Sequence, residues 1–182
     1  MNWMDKRIES ATWTGFIIWF VILFAFSTWA LDMDSPWTRA LAAGDGALPE
    51  SQPGFHAAEP SLSLGKLGEA KGDYLLWQLL DLPYAFFNLM ALSLGMALGL
   101  KKTRLHTTPL RFLLLLPVLY VGCEIIENAL VALFATGTLA MDGLAAQVQQ
   151  AATTLKFATG IPSLFLGFGG AAVAALAQVG GF

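Results

Sequence analysis

The chain has 182 residues, of which 56% are apolar or aromatic and only 13% are charged, well below the roughly 25% charged residues of ordinary soluble domains. Several apolar runs exceed the roughly 18 residues that a membrane-crossing helix needs, which excludes a soluble enzyme, a disordered tail or a nucleic-acid binder as the starting assumption. A formal net charge of −3 gives no general attraction to polyanions, so no nucleic-acid partner is expected.

The first predicted span is 12–31, with Trp13 and Trp29 near its two ends in the manner of interfacial anchors. A cleaved signal peptide is the rival reading. The apolar run is as long as a true span, and Thr28-Trp29-Ala30 is a poor small-x-small cleavage site, so a retained helix is expected. Segment 32–73 is the one long hydrophilic stretch. Within it, the runs beginning at Ser35 and Ser61 are expected either as short helices lying along the membrane surface or as a flexible loop, with Ser35 capping the first and Pro36 opening its first turn.

The second span is 74–100 and ends on the basic connection KKTRLHTTPLR; the third is 111–135 and the fourth 151–179. No soluble domain remains, so residues 1–182 form a single integral membrane domain. The predicted fold is all-α: a four-helix transmembrane bundle with a long extracytoplasmic loop, 32–73, between helices one and two.

Orientation follows from the bases. Lys6 and Arg7 precede the first span, and Lys101, Lys102, Arg104 and Arg111 lie between the second and third, whereas 32–73 is acidic. The positive-inside rule puts both termini and the basic connection in the cytoplasm. The connection is mainly a topology signal, with contact to anionic lipid as a second role.

A charge within a span costs on the order of 2.5 to 3.5 kcal/mol on insertion scales, so it normally faces other helices and pairs there. Four such residues occur: Asp81, Glu124, Glu127 and Lys156. In the second span Trp77, Asp81, Tyr84 and Asn88 stand at helical spacing on one stripe, as do Tyr120, Glu124, Glu127 and Asn128 in the third. Asp81 and Glu127 lie roughly 10 and 12 Å below the outer ends of their spans, and Lys156 is placed near the outer end of the fourth. All four charges therefore fall in one half of the membrane, and a buried polar cluster of Asp81, Tyr84, Asn88, Tyr120, Glu124, Glu127, Asn128 and Lys156 is expected. Three carboxyls against one ammonium leave a surplus, so at least one acid carries a proton at neutral pH or a cation is bound.

Other chemistry is thinly represented. Cys123 is the lone cysteine and sits in an apolar run, and His56 and His106 fall outside every span, so neither a disulfide, a bis-histidine haem, another cofactor nor a metal is expected. Pro83 and Pro162 each remove a helix donor, freeing the carbonyls of Leu79 and Ala158. Gly160, Ser163, Gly167, Gly170, Ala171 and Ala174 give the fourth span a close-packing face.

Asp81-Leu-Pro-Tyr84, Glu124-Ile-Ile-Glu127-Asn128 and Thr153-Thr-Leu-Lys156-Phe157 together are similar to the pattern of a family of bacterial four-span integral membrane proteins, in which an acid-x-x-Glu-Asn element and a Lys followed by an aromatic residue recur. The resemblance runs from Trp77 onward. It implies a protein of the bacterial cytoplasmic (inner) membrane and brings no assigned activity.

Three functions fit the cluster. The sequence favours a structural or accessory role in a membrane assembly, because polar contacts between helices are a normal glue. The second is a membrane-embedded acid/base enzyme acting on a lipid or isoprenoid. The third is a proton- or cation-handling transporter, which needs a homo-oligomer since four spans are thin for transport. Membrane lipids are the expected partners in every case.

Overall fold

The computed structural model describes residues 3–52 and 58–180; His56 lies outside the described residues. It is helical, with no strand among the described residues. Among the described residues the α-helices follow in the order α1 (Trp3–Ser10), α2 (Trp13–Ala30), α3 (Pro36–Ala43), α4 (Ala58–Lys66), α5 (Lys71–Lys102), α6 (Leu115–Thr136) and α7 (Gly143–Gly180). Among the described residues four helices are long and apolar enough to cross a membrane: α2, α5 with the 3-10 turn before it, α6 with its 3-10 lead-in, and α7.

Two of the predicted boundaries move. Helix α7 starts at Gly143 rather than near 151. Its first turns, GLAAQVQQ, are rich in the helix formers Leu, Ala and Gln, but the three glutamines interrupt the apolar run, so hydropathy sees only the later part. Lys156 consequently lies well inside the helix and not at its start. Helix α6 is preceded by a 3-10 segment, Pro109–Leu114, opened by the Thr108 hydroxyl accepting from the Leu110 amide. Helices α5 and α7 run uninterrupted through Pro83 and Pro162.

The chain divides into two compact units, and each long helix supplies a stretch to both. The first comprises Met1–Phe24, Phe86–Tyr120 and Ala158–Phe182. Its core gathers Ile8, Phe16, Leu94, Leu98, Leu114 and Ala174. Helices α5 and α7 meet here at glycines. A Cβ on Gly95 would stand 2.2 Å from the Gly167 carbonyl oxygen, and one on Gly99 would stand 2.7 Å from the Gly170 Cα. The small-residue face of the fourth span thus has backbone against it. Short helix α1 is tied down by Arg7, which donates to Ser93 Oγ at 2.7 Å and to the Met90 carbonyl at 3.3 Å, and by Lys101, which donates to the Glu9 carbonyl at 2.8 Å.

The second unit comprises Ala25–Ala85 and Val121–Phe157. The described part of the hydrophilic segment is folded into it and forms two short helices, α3 and α4, rather than a flexible loop. Ala40, Leu48 and Leu67 from that segment share a core with Tyr74, Val131 and Ala135. Ser35 caps α3 by accepting from the Thr38 amide at 3.1 Å while donating to the Ala30 carbonyl at 2.7 Å, and Pro36 sits in its first turn. After α3 the chain reverses at Asp45 and Gly46, both in the left-handed region. Arg39 then grips Asp73 with two hydrogen bonds, of 2.8 and 2.6 Å. These ties bring the 3-10 turn Pro49–Ser51 over the helices, and that turn carries Glu50 inward.

Candidate functional site

Within the second unit α5 presents Tyr74, Trp77, Gln78, Asp81 and Tyr84; α6 presents Glu124, Glu127 and Asn128; and α7 presents Gln149, Thr153 and Lys156. Within each set the residues recur at steps of three or four positions, so each set lies on one face of its helix. Glu127 is completely buried. It accepts from the Lys156 ammonium and, through its other oxygen, from the Thr153 hydroxyl. Thr153 in turn accepts from Gln149 Nε2 at 2.8 Å. Both oxygens of Glu127 are thereby satisfied, as a buried carboxylate requires.

Glu124, one turn away, is treated differently. It is 4% exposed, stands 3.5 Å from Lys156 Nζ through Oε2, and accepts no hydrogen bond at that atom. The Asp81 carboxyl is adjacent to it and takes a 3.0 Å hydrogen bond from Asn128 Nδ2. Tyr84 receives a 3.2 Å hydrogen bond from Ser27, and its ring stacks on Phe26 with centroids 5.3 Å apart.

Glu50 is the acid that spacing did not find, because it stands on a loop where no helical period applies. It is buried. Tyr74 Oη donates to it at 2.8 Å and Gln78 Nε2 at 3.1 Å, and Lys156 Nζ reaches the Glu50 carbonyl oxygen at 3.4 Å. Burial pushes its carboxyl up to about 7; the Tyr74 hydrogen bond and the Lys156 charge pull it down, while Glu127 adds to the rise. Gln149, Thr153 and Lys156 also stand at i, i+4 and i+7, a stripe that was readable in the sequence.

Asp81, Tyr84, Glu124, Glu127, Asn128 and Lys156 therefore all belong to this unit. Asn88 and Tyr120 belong to the other, where Asn88 is buried and the Tyr120 ring lies where a Cβ on Gly160 would meet it at 2.9 Å.

Beside the acids is a cavity of about 340 Å³, within the range of small-ligand sites. Glu50, Asp81, Glu124 and Lys156 contribute its polar wall, and Trp37, Trp77, Tyr84 and Phe157 contribute aromatic rings. Trp37 and Trp77 have ring centroids 5.4 Å apart, and Lys156 Nζ lies 5.6 Å over the Phe157 ring. Among the described residues no group of three or more His, Cys, Asp or Glu is arranged to hold a metal ion. No family model, curated protein or solved structure matches this chain.

Proposed function

We propose that this chain is a multi-pass protein of the bacterial cytoplasmic membrane, its four apolar helices forming one bundle, and that its acidic cavity binds a small organic cation, an ammonium group on an apolar body. The observation that carries this reading is the surplus of acid on the cavity wall: Glu124 Oε2 accepts no hydrogen bond and has only the Lys156 ammonium, 3.5 Å away and bonded to Glu127, as its countercharge. Lys156 is shared between Glu127 and Glu124, so one ammonium stands against Asp81, Glu124 and Glu50 around the cavity, and the acids are in excess. An entering ammonium would balance the excess acid and donate to it, and the surrounding rings would attract the positive charge through their electron-rich faces.

The structural reading keeps a specific part of the cluster. Glu127, Lys156, Thr153 and Gln149 bond one another, so they act as the fixed base on which the cavity wall is built.

The test compares octylammonium with octanol, a neutral probe of the same length, by calorimetry on the protein in nonionic detergent. A charge-assisted hydrogen bond is worth about 1.5 to 3 kcal/mol, so the cation should bind about tenfold to a hundredfold more tightly, and Glu124→Gln should remove most of that preference. Equal binding of the two probes, or an unaffected E124Q variant, would overturn the reading. The preference should also weaken as pH falls through about 7, where Glu50 takes up a proton and the cavity loses a negative charge. Glu50→Gln should flatten that part of the profile.

A further inference from the structure

We infer that the first unit carries a second, separate site, for one anionic phospholipid. Between α5, α7 and the connection after α5 lies a cavity of about 340 Å³. Its walls are apolar: Leu100 from α5, Leu105 and Leu110 from the connection, and Phe165 and Leu166 from α7, over a floor that includes Gly169. A cleft of about 630 Å³ continues from it, since Thr103 and Val173 line both, and this second space is bordered by Lys101, Lys102 and Arg104. One end of the combined groove is therefore greasy and the other is cationic, with no acid on either lining.

Charge complementarity decides the occupant. Lys101 is already engaged with the Glu9 and Ala11 carbonyls. Among the described residues, neither Lys102 nor Arg104 has a carboxylate partner, although Arg39, Lys66, Arg111 and Lys156 all do. Arg104, two residues beyond α5 and just before the 3-10 turn Leu105–Thr107, is in the left-handed region, at φ +57°, and borders the cleft. A ligand with a phosphate at one end and an acyl chain at the other satisfies both halves. A neutral lipid leaves the bases unanswered, and a free phosphate leaves the apolar cavity unfilled.

Thermal unfolding in nonionic detergent, with added phosphatidylglycerol, phosphatidylcholine or glycerol phosphate, tests the assignment. A ligand that binds only the folded protein raises Tm. Phosphatidylglycerol should raise it by several degrees, phosphatidylcholine by less, and glycerol phosphate not at all. In the double variant Lys102→Gln, Arg104→Gln the two lipids should become equivalent. In Gly169→Phe the response to both should disappear with the lipid-free Tm intact, because a Cβ at Gly169 meets no atom within 4 Å and the ring would enter the cavity. Equal effects of the two lipids on the unmodified protein, or glycerol phosphate acting as well as phosphatidylglycerol, would overturn the site. So would an undiminished lipid preference in the double variant, which remains decisive if G169F fails to fold. None of these outcomes bears on the acidic cavity of the second unit.

Discussion

Lys156 holds a different energetic position from every other base in the chain. Its partner Glu127 has no contact with solvent, and removing one member of a buried pair strands the other, at about 3 to 5 kcal/mol. Arg39 and Asp73 also pair, yet their side chains are 46% and 27% exposed, and water can replace either partner. Lys156→Ala is therefore expected to lower Tm in detergent by far more than Arg39→Ala, and equal midpoints would remove the pairing argument. The helical stripes made Asp81, Glu124, Glu127 and Lys156 legible beforehand, because a charge in an apolar run is conspicuous against its neighbours. Which acid the lysine approaches more closely was not legible, since Glu124 and Glu127 lie on the same face one turn apart.

Helix α5 approaches α7 through Gly95 and Gly99, which are i and i+4 on one face, and meets Gly167 and Gly170 on the other helix. The small-residue stripe of α7 was readable from its spacing. Its partner was not, because two glycines among the leucines and alanines of α5 acquire meaning only when another backbone lies against them. Gly95→Ala should destabilise the protein by about 1 to 3 kcal/mol, as overpacking does, because the added carbon meets backbone that cannot swing away. Gly169→Ala, on the same helix as Gly167 but facing open space, should leave Tm unchanged or raise it through better helix propensity. Thermal melts of the two variants side by side check both signs.

Across the whole chain, the distribution of bases predicts one topology. With Cys123 replaced by Ala, an exposed cysteine placed at Asp45 should react with a membrane-impermeant maleimide from outside intact cells, and one placed at Lys102 should react only after the membrane is opened. The reverse labelling pattern would invert the orientation. The amino-acid sequence by itself determined that four helices are long and apolar enough to cross a bilayer and where ionisable groups interrupt them, because hydropathy and helical period are properties of neighbours along the chain. Tertiary structure alone decided that Glu50, 106 positions from Lys156, comes within reach of it, that the hydrophilic segment packs as core, and that Glu124 faces a cavity while Glu127 does not. Those outcomes depend on contacts between distant segments, and no local pattern encodes which segments will meet.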